Sequence, residues 1–454
     1  MPFSHNQASD IYASALCSLG FGYPLWIPEP NNALPDDYKK KGVRTGDVGV
    51  LTDDGGFDFV FNACVSATDP INVNGVPESF QPLVRNPKQR REILRKHGGG
   101  LPILSLGAET KRIDFQVSAG VPTQAGFIGG GGGFKIAFGG ETGAVVIPSN
   151  GADGEDCQDV GVFLEYALIH AAEWYQFVNS TLRRDVRNGD LYFITGYDKT
   201  DCWENAVVKN ESQEQACELT FSVGPADGRL RLSHSSMQTA FSSRSSMEDN
   251  IDKNQTLFLR GYRVCIRRGI VGQFIGRPQV GAKRTDNMDP DEFRHRRGGN
   301  TPFSPSPAGG RISTSETAYT TDGSGHRVES KAPRIYHPLN TINDYILNSD
   351  PSIQVVATHD KDWISWLRKE DTAMPDDSTL LGRFRASSRI AVVNGCAVIE
   401  PLDADLDEIV VPSASEFDFD MGNRWEHPAQ QDFPDNNLNP GQNYDTAGIG
   451  QVVQ

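Results

Sequence analysis

The sequence predicts an α+β protein: a β-rich core organised around one long amphipathic helix, a small helix–strand–helix–hairpin region, and a disordered linker and tail. Three observations carry this prediction. First, residues 157–195 read as a helix running into a buried strand. Val160, Phe163, Leu164, Ala167, Leu168, Ala171, Trp174, Tyr175 and Val178 follow the i, i+3, i+4, i+7 series of a helix with one buried face, and Leu191-Tyr192-Phe193-Ile194-Thr195 is a β-rich run closed by Gly196. Second, short alternating apolar runs recur on both sides of this unit. Third, two long polar tracts, 281–332 and 401–454, pull the hydrophobic fraction down to 37% and lack the apolar surface to offset the entropy of ordering. The resulting organisation is an N-terminal arm (1–40), a β-rich core (41–280), a linker (281–332), a small α/β part (333–400) and an acidic tail (401–454).

In chain order, residues 11–19 carry a short helical pattern. The proline-studded Tyr23-Pro24-Leu25-Trp26-Ile27-Pro28 is extended and pinned by Trp26 and Ile27. Residues 46–51 form a strand, Asp53-Asp54-Gly55-Gly56 a turn, and Phe57, Phe59 and Phe61 one face of the next strand. Residues 113–117 are a strand. A hairpin is expected between residues 134–138 and 144–147 across Gly139-Gly140-Glu141-Thr142-Gly143. The preceding run Gly129 to Gly133 lacks the spacing and the following helix of a phosphate loop, and reads as a flexible connection suited to a hairpin that unfurls onto a membrane. Beyond the central unit, Asp198-Lys199-Thr200-Asp201 reads as a turn, 217–223 as a strand, 224–255 as a polar loop and 257–266 as a long strand. In the C-terminal part, His337-Pro338 opens a helix, 353–357 is a strand, Trp363 to Leu367 a short helix, and Asn394-Gly395 a type I′ turn between two strands.

The formal net charge is −16, and the segment from Leu402 onward, with eleven acidic residues against Arg424 alone, carries −10 of it. The acidity therefore belongs to the tail, which argues against nucleic-acid binding by the whole chain but leaves room for a local basic site. Two basic clusters stand out. Arg85, Lys88, Arg90, Arg91, Arg95 and Lys96 fit a solvated helix face with Ile93 and Leu94 inward, the alternative being a patch for an anionic partner such as lipid or nucleic acid. Arg260, Arg263, Arg267 and Arg268 line one edge of the long strand, either blocking edge pairing or meeting an acidic partner. Seven scattered cysteines without a C-x-x-C pair suit small buried side chains in a reducing compartment, with no zinc site or disulfide framework. No secretory signal or transmembrane run is apparent, so the expected location is cytoplasmic. Thr301-Pro302, Ser304-Pro305 and Ser306-Pro307 in the linker are sites for proline-directed phosphorylation.

For chemistry, Thr358-His359-Asp360 with Asp362 sits between a strand and a helix, where α/β sites usually lie. A histidine beside two carboxylates can bind a divalent metal or act as a base. The plainer reading makes Asp360 a helix cap and places Asp362 at the positive helix start. No hydrolase, zinc-protease or P-loop motif accompanies the cluster, and no cofactor is implied.

Several stretches together resemble a family of proteins found in many copies in mushroom-forming (basidiomycete) fungi. They are Gly46-Asp47-Val48-Gly49 with Gly55-Gly56-Phe57-Asp58-Phe59, Ala171-Ala172-Glu173-Trp174-Tyr175 with Val178-Asn179, residues 191–200, Leu259-Arg260-Gly261-Tyr262, and Thr358-His359-Asp360-Lys361-Asp362-Trp363. The resemblance covers most of residues 10–370. That family has no established activity, so it implies no catalytic residues. The order of acidic-turn β region, helix and Ile-Thr-Gly strand is also similar to the N-terminal pore-forming domain of gasdermins, an analogy at the level of fold. The expectation is a non-enzymatic interaction or defence protein whose β-core engages anionic membranes and is restrained by its acidic tail. The alternatives are a metal-assisted hydrolase using His359 and Asp360, and a phospho-regulated scaffold.

Overall fold

The computed structural model describes residues 5–114, 132–210, 217–223, 230–235, 239–246, 252–267, 319–321, 327–329 and 334–402. Helix α1 (His5–Cys17) is followed by β1 (Tyr23–Pro24), α2 (Asp36–Lys41) and the hairpin of β2 (Asp47–Leu51) and β3 (Phe57–Asn62). Next come β4 (Arg90–His97), β5 (Ile103–Leu104), β6 (Ala108–Asp114), β7 (Gly132–Phe138), β8 (Thr142–Pro148) and β9 (Ala152–Cys157). Helix α3 (Val160–Gln176) ends in a π-turn (Phe177–Thr181). Strands β10 (Leu191–Thr200), β11 (Trp203–Asn210), β12 (Cys217–Val223), β13 (Leu230–Ser235), β14 (Thr239–Ser245) and β15 (Gln255–Ile266) follow, with the short pair β16 (Tyr319–Thr321) and β17 (Arg327–Glu329) after them. The last elements are α4 (Leu339–Ser349), β18 (Val355–His359), α5 (Asp360–Ser365), α6 (Asp377–Ser387), β19 (Ser388–Val393) and β20 (Cys396–Pro401).

The fold is α+β, built on a ten-stranded mixed sheet in the order β19-β20-β18-β15-β10-β2-β3, with β1 on β15, β9 on β10 and β4 on β9. Successive side chains of a strand point to opposite faces, and β10 uses both. Leu191 and Phe193 pack under α3 against Phe163 and Trp174. Tyr192 and Ile194 face the opposite layer, with Leu339, Ile342 and Trp363 of α4 and α5. The apolar stripe read in the sequence is thus the inner face of α3. That helix begins at Val160, because Ala152 to Cys157 extends the sheet as β9.

A second body is a β-sandwich. One sheet runs β14-β11-β8-β5 and the other β13-β12-β7-β6. Ile136, Phe138, Val145, Ile147, Ala206, Val208, Leu219 and Phe221 interdigitate between them. The alternate residues Ala144, Val146, Trp203 and Val207 pack on α1, tying the sandwich to the N-terminal arm.

Four readings need correction. The expected hairpin between β7 and β8 does not form: β7 pairs with β6 and β12, and β8 with β5 and β11. Both strands are buried on one side by the sandwich core, so the chain crosses between the sheets at Gly139-Gly140. The basic stretch is not a helix face. Arg90 to His97 forms edge strand β4 against β9, since the lone pair Ile93-Leu94 supplies no helical stripe, and Leu94 stands 78% exposed. The polar loop contains β13 and β14, whose serines are tolerated in strands backed by neighbouring β12 and β11. Residues 198–200 are not a turn but the second half of β10.

The C-terminal part shares the central sheet through β18, which pairs antiparallel with β15 and parallel with β20. The Asn394-Gly395 turn has φ of 52° and 78°, as a type I′ turn requires. Helix α6 was not apparent in the sequence, although Asp376 caps it by accepting from the Thr379 amide at 2.8 Å. Most of the 281–332 linker and the tail beyond Leu402 lie outside the described residues, as do the proline-directed phosphorylation sites.

Candidate functional site

The Thr358-His359-Asp360 cluster occupies the β18–α5 junction, and its polar atoms are spent within the core. His359 is 4% exposed. Its Nδ1 accepts from the Lys361 amide at 3.0 Å, while its own amide donates to Asp362 Oδ2 at 2.7 Å, a reciprocal cap. Nε2 lies 2.7 Å from Thr195 Oγ1, whose hydroxyl donates to the Arg260 carbonyl at 3.2 Å. Nε2 therefore carries the ring proton, and burial holds the imidazole pKa down at about 4. The Asp360 carboxylate accepts from Tyr192 Oη, from the Gly261 amide at 2.8 Å and from Trp363 Nε1 at 2.9 Å. His337 Nε2 lies 3.4 Å from Asp360 Oδ1. Burial opposes the charge on Asp360, yet the contacts with His337 and Tyr192 keep its pKa below the ordinary carboxylate range. Among the described residues, no group of three or more His, Cys, Asp or Glu side chains is placed to hold a metal ion.

The arginines expected along the edge of the long strand are a correction of a different kind, because β15 is not an edge. It lies between β10 and β18, and its guanidinium groups serve the interior. Arg260, 5% exposed, binds Asp156, Asp198 Oδ1 at 2.7 Å and the Phe21 carbonyl at 2.7 Å. Arg263, 2% exposed, binds the Gly189 carbonyl at 2.7 Å and faces Asp190. Arg267 clasps the carbonyls of Leu347, Asp350 and Ile353 around the end of α4. Arg268 lies outside the described residues. Lys96, from the other cluster, is drawn inward too: its Nζ lies 3.0 Å from Asp198 Oδ1, and His97 Nε2 lies 2.8 Å from Oδ2. Burial opposes the charge on Asp198, but Arg260, His97 and Lys96 together hold its carboxyl far below the usual range. Gly196 makes this network possible, since a Cβ there would stand 2.2 Å from Asp156 Oδ1.

The remaining members of the first cluster stay outside. Lys88, Arg91 and Arg95 are exposed. Arg85 and Arg90 line a solvent-open cleft of about 730 Å³ between the α2 segment, the 83–90 segment, β9 and β10. Helix α2 supplies Lys40 and Lys41. It starts after Pro35, carries Asp36 and Asp37 in its first turn and Lys39, Lys40 and Lys41 in its last, the charge order the helix dipole favours. Gly42, at φ +63°, ends it against the Asn254 carbonyl, where any Cβ would collide. Arg44 follows on the same wall. Lys199 enters from β10 and Lys253 from the segment before β15.

Seven cations thus face two carboxylates, Glu155 and Asp252. Arg90 is paired with Glu92 at 2.8 Å and Lys253 with Asp153 at 2.8 Å. Among the described residues, Lys40, Lys41, Arg44, Arg85 and Lys199 have no carboxylate within ion-pairing distance. Arg85 rests instead on the Phe163 ring and Cys157 Sγ. Arg44 lies against Tyr38 and donates to the Asp37 carbonyl, and its buried Nε finds no acceptor. Lys199 is 7% exposed. Its Nζ donates to the Lys41 carbonyl at 2.6 Å and lies 3.8 Å from the centre of the Tyr197 ring. Burial lowers its pKa to about 7, against the opposing pull of Asp47 and Glu155.

Of these cations, the basic stretch in the sequence marks Arg85 and Arg90. The run Lys39-Lys40-Lys41 with Arg44 is a sequence signal for the α2 wall, whereas Lys199 carries none, because Asp198-Lys199-Thr200 has the composition of a turn. No family model matches the chain, and no curated protein matches it. No helix among the described residues is long and apolar enough to cross a membrane.

Proposed function

We propose that this is a non-enzymatic binding protein of the interaction or defence type that receives an anionic group in the basic cleft, with its own acidic tail as competitor. The observation that supports the reading is the set of five cleft cations without carboxylate partners in a chain whose net charge is −16. By contrast, the buried arginines of β15 meet carboxylates: Arg260 with Asp156 and Asp198, Arg263 with Asp190. Clustered like charges repel one another, and a buried ammonium without a counter-charge is unfavourable. An anion entering the cleft relieves both. The tail, with its −10, is an anion carried on the same chain.

A second reading, in which the anion belongs to a membrane surface, is favoured by Val84 and Leu94. They stand 88% and 78% exposed among the basic residues of the 83–95 stretch. Apolar side chains interspersed with cations suit an anionic bilayer interface.

The test is anisotropy of a labelled 402–454 peptide titrated with a 1–401 truncation. Binding is expected at about 20 mM salt and is expected to be largely lost by about 200 mM, as screening shortens the reach of the charges. Arg85→Gln with Lys40→Gln should weaken it. Failure to bind at low salt, with the truncation folded, removes the tail from the account.

A further inference from the structure

Resting on the reading of the cleft as an anion receptor, we infer that it is shaped for a compact oligophosphate, either a free phosphorylated metabolite or a lipid headgroup, gripped at its floor by Lys199. A flat acidic surface would meet the exposed Lys40 and Lys41 and the partly exposed Arg85, but not a lysine that is 7% exposed. Only a narrow, highly charged group reaches it. A tetrahedral phosphate is small, carries up to two charges and offers several acceptor oxygens, matching the three donors of an ammonium and the fork of a guanidinium. Arg44 stands on the same wall, and its buried Nε has no acceptor within the protein. The cations lie on three separate segments (Lys40, Lys41 and Arg44, then Arg85, then Lys199), which suits two linked phosphates better than one. The volume of about 730 Å³ falls in the range of small-molecule sites and leaves room for an organic remainder. Glu155, which already accepts from Thr45 Oγ1 at 3.1 Å, and Asp252 offer acceptors for its hydroxyl groups.

Lys199 gives the site a proton linkage. The charged groups around it are Asp47 from β2, Glu155 from β9 and Arg44 from the α2 wall. With its pKa lowered to about 7, the empty site loses the Lys199 proton as pH rises through neutrality. A bound anion favours the ammonium, so binding takes up a proton and weakens as pH rises. Phosphate titrates in the same range with the opposite effect on its own charge. A polysulfate such as inositol hexasulfate, which does not titrate there, isolates the lysine.

The experiment is calorimetric titration of the full chain with pyrophosphate at about 50 mM salt and about pH 6.5, repeated with Lys199→Met and Arg85→Gln. Each variant is expected to weaken binding about tenfold or more, the worth of a charged hydrogen bond. Lys199→Met should unfold at no lower temperature than the parent, because a methionine fills the space without a buried charge. Inositol hexasulfate should bind with net proton uptake near pH 7.5, and that uptake should vanish in Lys199→Met. Arg85 is partly exposed, so its variant keeps the test valid should Lys199→Met fold poorly. Vesicles carrying a phosphoinositide bisphosphate distinguish the two sources: tighter binding to them than to pyrophosphate identifies a headgroup, the reverse a free metabolite. Absence of pyrophosphate binding, or affinity unchanged in both variants, overturns the oligophosphate assignment. If the tail peptide still binds in that case, the anion-receptor reading survives; if neither binds, both fall.

Discussion

Asp198→Asn is expected to lower the unfolding free energy by about 3–5 kcal/mol, the range for removing one partner from a buried ion network. Asp198 is fully buried and is the common counter-ion of Arg260 at 2.7 Å and Lys96 at 3.0 Å, with His97 Nε2 hydrogen-bonded at 2.8 Å. Asparagine keeps the shape but not the charge, leaving the buried Arg260 with Asp156 alone and the partly buried Lys96 without its carboxylate partner. Lys96 and His97 are the inner end of β4, and Asp198 lies in the β10 segment that also carries Lys199. The substitution should therefore loosen the wall of the cleft as well as the core. Urea unfolding of the variant checks the prediction, and adding Lys96→Met should recover part of the loss by removing one stranded charge. A midpoint like that of the parent would mean the network is not closed to water as described.

Asp360→Ala is expected to be of similar size, on the order of 3–5 kcal/mol, by a different route. It removes the acceptor of three buried donors, Tyr192 Oη, the Gly261 amide and Trp363 Nε1. Each orphaned donor costs about 1–3 kcal/mol, with partial relaxation. It also frees a cavity beside His337. Asp360→Asn, which keeps one carbonyl oxygen, should fall between. This gradation in thermal unfolding marks a carboxylate that joins β10, β15 and α5. A variant that retained full stability would mean that the carboxylate does not tie these elements together as described.

The contrast between these two carboxylates and the cleft explains how much was legible in the sequence. Local periodicity sufficed for α3, for the first half of β10, for the β2–β3 hairpin and for the Asn394-Gly395 turn, because each pattern is complete within a few residues. The second half of β10 failed the same test. Asp198, Lys199 and Thr200 look like turn residues, and are buried because their partners come from 49 to 158 positions away. The β7–β8 crossing failed likewise, since the choice between a hairpin and a change of sheet is made by β6, β11 and β12. For the site, charge could be counted along the chain but depth could not. Of the cationic patch expected from sequence, Arg85 and Arg90 face the cleft while Lys96, Arg260, Arg263 and Arg267 turn inward to fixed partners. Lys40, Lys41, Arg44, Lys199 and Lys253 complete the cleft from segments where no basic site is expected from sequence.

An anomalous-difference map from crystals of the full chain soaked in tungstate, a heavy tetrahedral dianion, tests the cleft as an anion site. Tungstate is expected inside the cleft, within contact of Lys199 and of Arg85 or Arg44. Tungstate bound only at other basic surfaces, with the cleft open and unfilled, would contradict it.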